Sequence, residues 1–305
     1  MRQQDQSFTT PAPPPFEVIS PERQSTPFVY NAPHSGTYYP PELLARTCLT
    51  LPELRSSEDS YADRLFATAP GKGAPMLRVN YARAYVDTNR EPTELDARMF
   101  HGPLPVAANP HSERVRAGLG LIPGVVAGRQ HIYRERLPPA DVITRIDRVY
   151  RPVHQQLQQL MDTTFARFGC AVLIDCHSMP SGITLGRQAP RQSADIVLGD
   201  AHGRSCARVV ADVAATTLRR LGYQVAVNVP YAGGYNTHFY GRPSAGRHAL
   251  QIEINRALYM DERSYELTAG FTRLCGDMER LIDALHAIPV GALHPPTSQS
   301  PLAAE

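Results

Sequence analysis

The sequence predicts an α/β protein in which helices cover both faces of a largely parallel sheet. Three observations carry that prediction. Strand-type runs such as Val172-Leu173-Ile174 are continuously apolar rather than alternating, the pattern of strands buried on both sides. Along the chain these runs alternate with helical patterns. No internal repeat and no linker separates them, so a single domain is expected between two polar ends.

Residues 1–24 are rich in Gln, Ser, Thr and Pro, including Pro11-Ala12-Pro13-Pro14-Pro15. Such a composition buries little apolar surface and predicts a flexible leader, or an arm lying on the domain. The domain is expected over 25–291, with its first strand at 27–31. A short helix at about 59–69 opens with acids, which suit its N-terminal dipole. Strands are expected next at 76–79 and 84–87. The strongest helix runs from about 140 to 168. Its residues Val142, Ile146, Val149, Val153, Leu157, Leu160 and Phe165 step by three to five positions and mark one core face. Gly169 is placed to end it, and a strand follows at 171–175. Strands at 196–199, 224–228 and 249–254 then alternate with helices at about 204–221 and 264–288. From 292 to 305 the composition again turns polar, predicting a flexible tail.

Bulk properties exclude several classes of function. Apolar content of 42% with 20% charged residues fits a soluble globular domain of 305 residues. A net charge of +2 without a dense Lys/Arg run gives no footprint for nucleic acid. No apolar stretch approaches the roughly 18 residues of a membrane span. The N-terminus lacks a charged-then-apolar signal pattern, so a cytoplasmic location is expected. Cys48, Cys170, Cys176, Cys206 and Cys275 are odd in number and not closely paired, which argues against a disulfide framework or a thiolate zinc site. Most are expected to be buried as small apolar residues.

The chemistry-bearing residues cluster at strand ends. Val172-Leu173-Ile174-Asp175-Cys176-His177-Ser178 is a core strand that ends in an acid, a thiol, an imidazole and a hydroxyl. Asp175 and His177 share a side by alternation, so Asp175 is suited to orient His177; an Asp that caps the next turn fits equally. Cys176 falls on the opposite side without a neighbouring base, which speaks against a catalytic thiol. Pro33-His34-Ser35-Gly36 follows another strand, and His34 alone is compatible with a simple turn histidine. Two strand ends bearing His-Ser suggest convergence on one metal ion. Glu253 lies inside Leu250-Gln251-Ile252-Glu253-Ile254, where burial is costly unless the carboxylate is paired or functional. Desolvation would suit it to general-base work, while a salt bridge to Arg256 or another Arg is the alternative. Asp87-Thr88-Asn89-Arg90 offers a planar fork and an amide for a carboxylate, or an ordinary surface ion pair. Gly233-Gly234 sits in a polar loop where glycine allows close backbone approach.

Taken in order, Pro33-His34-Ser35-Gly36, Asp87-Thr88-Asn89-Arg90, Asp175-Cys176-His177-Ser178, Gly233-Gly234 through Tyr240-Gly241, and Gln251-Ile252-Glu253 resemble the N-formylglutamate amidohydrolase (deformylase) family over about 27–285. The family is distantly similar to zinc carboxypeptidases. The resemblance implies a zinc-exopeptidase-like α/β single domain, with a mixed, mostly parallel sheet of roughly eight strands and helices on both faces. It implies one Zn2+ held by His34, His177 and a carboxylate, with Asp59 matching best and Glu58 left open beside it. Glu253 matches the general base, and Asn89 with Arg90 matches a grip on the substrate carboxylate, with Arg134 and His238 as further contacts. The implied reaction is hydrolysis of N-formyl-L-glutamate to formate and L-glutamate, a step of histidine degradation. The same chemistry on another acyl amino acid or short peptide, or carboxylate binding without catalysis, are the alternatives. The expected partner is a small acyl amino acid, with no nucleic acid and no membrane.

Overall fold

The computed structural model describes residues 11–182 and 194–295; parts of the expected leader (1–10) and tail (296–305) lie outside the described residues. Within these limits one seven-stranded sheet organises the chain. Its strands are β1 (Phe16–Ile19), β2 (Phe28–Ala32), β3 (Met76–Val79), β4 (Ala171–Met179), β5 (Ile196–Gly199), β6 (Val225–Val227) and β7 (Arg247–Asn255). They lie in the order β1-β3-β2-β4-β7-β5-β6. The pairs β3/β2, β2/β4, β4/β7 and β5/β6 are parallel, whereas β1/β3 and β7/β5 are antiparallel. The sheet is therefore mixed and mostly parallel.

The helices are α1 (Pro41–Arg46), α2 (Leu51–Arg55), α3 (Ala62–Leu65), α4 (Glu113–Arg116), α5 (Ala140–Arg145), α6 (Arg151–Phe168), α7 (Arg208–Arg220), α8 (Tyr235–Tyr240) and α9 (Gly270–His286). One face of the sheet presents Phe28, Val172, Ile174, Cys176, Leu250 and Ile252 to α7 and α9. The other presents Val29, Leu173 and Ala249 to α6. Every residue of β4 is buried, which explains its unbroken apolar spelling up to Asp175.

Several expectations change in detail. Residues 84–87 do not form a strand: the chain turns there, with Tyr85 N–H donating to the Ala82 carbonyl at 2.9 Å. Ala84, Tyr85 and Val86 are nonetheless buried, so their apolar pattern reports packing rather than extension. Part of the leader is ordered on the sheet, because Phe16–Ile19 pairs with β3 as an edge strand. At the other end Leu293 is fully buried, so the chain remains packed past residue 292. The helix expected over 140–168 is α5 and α6 joined by a π-helical turn, Ile146–Tyr150. Pro152 accounts for the widening: its nitrogen cannot donate, and its ring crowds the carbonyl four residues back. Gly169 ends α6 in the left-handed region at φ 72°, as its residue type predicts. α3 is shorter than expected at both ends, and Tyr61 with φ 65° accounts for its later start.

Candidate active site

Because β2, β4 and β7 are parallel, their carboxyl ends share one edge, where open α/β sheets bind ligands. The register sets His177 beside Glu253 and Asp175 beside Gln251 across β4 and β7, and Asn31 beside Asp175 across β2 and β4. Alternation points these side chains to the α6 face, while Cys176 joins the core on the other. Cys176 is fully buried and burial pushes its thiol well above the ordinary value, so it carries no nucleophile.

His34 arrives from the turn after β2. Gly36 makes that turn possible, because a β-carbon there would stand 2.4 Å from the Tyr81 carbonyl oxygen. Ser35 Oγ donates to the Asp59 carbonyl (3.0 Å) and accepts from the Asp63 N–H (3.1 Å), pinning the segment that carries Asp59. The result is a buried cluster in which ligand atoms of His34, Asp59 and His177 all lie within 4.8 Å of one another. Asp59 Oδ2 is 3.2 Å from His34 Nδ1 and 2.9 Å from His177 Nδ1. The opposite ring nitrogens are braced by carboxylates: His34 Nε2 lies 2.7 Å from Asp87 Oδ1, and His177 Nε2 lies 2.8 Å from Asp175 Oδ2. Such bracing fixes ring orientation and tautomer in metal sites. Glu58 does not compete for the position. Its carboxylate accepts from Tyr39 Oη (2.6 Å), Ser60 Oγ (2.8 Å) and Arg55 Nε (3.2 Å).

The bracing acids are themselves well satisfied. Asp175 accepts from the side-chain amides of Asn31 (2.7 Å), Asn236 (3.2 Å) and Asn89 (3.3 Å). Asp87 accepts from Arg83 Nε and the Asn89 N–H, each at 2.9 Å. Burial would raise the Asp87 carboxyl, but Arg83, Arg90 and His34 outweigh it and hold it well below the usual range. Burial likewise disfavours the charged form of His177, yet Asp175, Asp59 and Glu253 override it and raise its pKa well above the ordinary value.

Glu253 is 8% exposed. Burial pushes its carboxyl up to about 7, against the opposing pull of His177, Arg83 and Arg256. Gln251 Nε2 donates to its Oε1 at 2.8 Å. Among the described residues it has no ion-pair partner within 4.0 Å; Arg256, the alternative considered from sequence, bonds Asp59 Oδ1 (3.1 Å) and Ser178 Oγ (2.9 Å) instead.

A cavity of about 460 Å³ opens over this cluster, lined by His34, Asp59, His177 and Glu253 together with Arg83, Arg90 and Arg114. Asn89 lines it too, but its amide is spent: Nδ2 on Asp175 and Oδ1 on the Asn236 N–H (2.8 Å). Arg90 donates to the carbonyls of Leu119 and Asn89, both at 2.8 Å. Burial lowers its guanidinium to about 10, which leaves it cationic at neutral pH. Two expected contacts are not brought to the cavity. Arg134 is exposed, its N–H donating to the Arg46 carbonyl at the end of α1, because its neighbour Tyr133 bridges to Thr47 there. His238 is exposed on α8 and outside the lining, whereas Asn236 of the same helix faces inward. Conversely, Arg83 and Arg114 were missed. Arg83 lies just before residues 84–87, which read as a strand, and Arg114 lies in a segment without a motif.

A buried acid–imidazole cluster with a proton-accepting glutamate beside it, at the carboxyl edge of a parallel sheet, is the equipment of a hydrolytic enzyme. Comparison with known proteins supplies the family. The sequence matches the family described as N-formylglutamate amidohydrolase over residues 26–260, and the chain belongs to that family as an amidohydrolase acting on a linear amide. It is 29% identical to an N-formylglutamate deformylase of Pseudomonas aeruginosa over 253 residues, covering 81% of this chain and 87% of that protein. A deformylase of Pseudomonas putida is 27% identical, with 81% and 86% covered. The crystal structure of N-formylglutamate amidohydrolase from Ralstonia eutropha JMP134 aligns with a TM-score of 0.83 at 38% identity, covering 88% of this chain and 95% of that one. Gene product Atu2144 from Agrobacterium tumefaciens shares the fold, with a TM-score of 0.64 at 17% identity over 90% and 95% of the two chains.

Proposed function

We propose that this enzyme hydrolyses the amide of N-formyl-L-glutamate to formate and L-glutamate, with one zinc ion as cofactor. The observation that carries the reading is the three-donor cradle of His34, Asp59 and His177 with Glu253 in register beside it. Two imidazole nitrogens and one carboxylate oxygen, each imidazole braced from behind, are a donor set suited to catalytic zinc. A zinc ion held there supplies Lewis acidity and makes a water acidic enough to react near neutral pH.

The chain's own residues supply the remainder. Glu253, with a pKa near 7 and its Oε2 uncommitted among the described residues, takes a proton from the attacking water. Water oxygen bonds to the formyl carbon, the C–N bond breaks, and Glu253 returns the proton to the departing amine nitrogen. Arg83 and Arg90, both tethered to Asp87 behind His34, place positive charge for the α-carboxylate next to the reacting amide. Asn89 holds Asp175 and the start of α8 in place, keeping His177 oriented.

Formate release from a panel of N-acyl amino acids, measured before and after chelation, tests the proposal. Fast release from N-formyl-L-glutamate that chelation abolishes and zinc restores is the expected result. No turnover of that substrate beside fast turnover of another acyl amino acid would overturn the substrate, and turnover insensitive to chelation would overturn the cofactor.

A further inference from the structure

N-formyl-L-glutamate carries two carboxylates, and the cavity is lined by more than one arginine, Arg83 and Arg114 among them. Arg83 sits at the metal-cradle end: its Nε is on Asp87, and its charge bears on both Asp59 and Glu253. Arg114, on α4, also lines the cavity, and its charge bears on Arg90 and His238. It is half-buried, and its one hydrogen bond among the described residues is a long one, Nη2 to the Gly233 carbonyl at 3.4 Å. No acid within 4.0 Å pairs with it among those residues. A guanidinium left with most of its donors uncommitted inside a cavity is prepared for an anion that arrives with a ligand. Arg90, by contrast, has already committed its Nε and Nη1 to main-chain carbonyls.

The geometry points to Arg114 as the specificity-determining residue for the side-chain carboxylate of the substrate, so that the enzyme selects acidic over neutral N-formyl amino acids. The α-carboxylate of such a substrate is attached to the carbon that bears the amide nitrogen and stays beside the cradle. The side-chain carboxylate lies two methylenes further out, and Arg114 offers it a half-buried guanidinium whose single hydrogen bond among the described residues is a long one. Gly233, whose carbonyl Arg114 reaches, has a φ of 126° that suits glycine, and a β-carbon there would meet Thr237 at 2.7 Å, so the loop packs closely on α8. This inference rests on the proposed deformylase reading and adds to it the group that recognises the acid.

The test compares N-formyl-L-glutamate with its neutral isostere N-formyl-L-glutamine, by formate release from the zinc-loaded enzyme. A charge-assisted hydrogen bond predicts that the wild type prefers the acid by about 10- to 100-fold in kcat/KM. Arg114→Gln is expected to erase that preference through KM for the acid, leaving kcat/KM for the glutamine substrate within about twofold, and Arg114→Lys to retain part of it. Arg129→Gln serves as the comparison, since Arg129 also borders the cavity but is exposed rather than half-buried. Equal losses on both substrates, an undiminished preference in Arg114→Gln, or its loss in Arg129→Gln instead would overturn the assignment. Calorimetric binding of L-glutamate against L-glutamine reads the same subsite without turnover. Selective glutamate binding that Arg114→Gln removes would uphold the subsite even if the reaction proved different, and unselective binding in the wild type would refute it.

Discussion

Around His34 and His177, imidazoles and carboxylates are matched atom for atom, whereas Arg83 and Arg114 in the same cavity keep donors unmatched among the described residues. The first region is rigid by construction. Asp59, Asp87 and Asp175 each hold a ring nitrogen, and each is held in turn by amides or guanidinium groups. The second region is charged but incomplete without an anion. The difference separates what fixes the reacting centre from what selects the molecule brought to it. On the proposed reading, loss of the first should remove turnover, and loss of Arg114 from the second should mainly change which substrate is used.

The largest effect that sharpens this contrast is Glu253→Gln. Because Glu253 lies outside the cradle, the variant should retain its metal while kcat falls by about 10²- to 10⁴-fold. Metal analysis alongside formate release checks both halves, and loss of metal in this variant would move Glu253 into the cradle. Next come Asp87→Asn and Asp175→Asn, each of which replaces a carboxylate behind an imidazole. Metal affinity should weaken by about 10- to 100-fold, read by competition with a chelator, with KM for substrate changed less than kcat. Unaltered affinity in both would mean that the bracing contacts serve packing alone.

A smaller effect concerns pH. Glu253 has an ordinary pKa of 4.5 that burial raises to about 7, so the folded chain holds this proton more tightly than the unfolded chain. Its contribution to stability is therefore full below about pH 4.5 and is lost as pH rises through 7. In metal-free protein, denaturant titrations across that window should show a shallower decline for Glu253→Gln than for the wild type. Parallel curves would place Glu253 in water rather than in the core.

Much of this was legible in the sequence because the sheet enforces it. A strand buried on both faces must be spelled in apolar residues, so Asp175, His177 and Glu253 stand out where that spelling breaks. The common side of Asp175 and His177 followed from alternation alone, while that of Glu253 needed the β4/β7 register. The fold was harder to read where burial and extension part company, as at 84–87, whose apolar residues pack in a turn. Pro152 concealed a π-helical turn inside a regular periodicity. Arg83 and Arg114 left no local signature, because their value lies in donors left over among the described residues once Asp87 and the Gly233 carbonyl have taken one each. Asn89 and Arg90 had the opposite fault: their types suit a carboxylate, but the fold commits much of their bonding capacity to the protein itself.

The proposed chemistry depends most on His34, Asp59 and His177 acting together as one metal cradle. Metal content per chain, measured after equilibration with zinc and removal of excess, tests this directly across the wild type, His34→Ala, His177→Ala and Glu253→Gln. One ion is expected in the wild type and in Glu253→Gln, and almost none in either histidine variant that remains folded by circular dichroism. A full complement of zinc in both folded histidine variants would contradict the account.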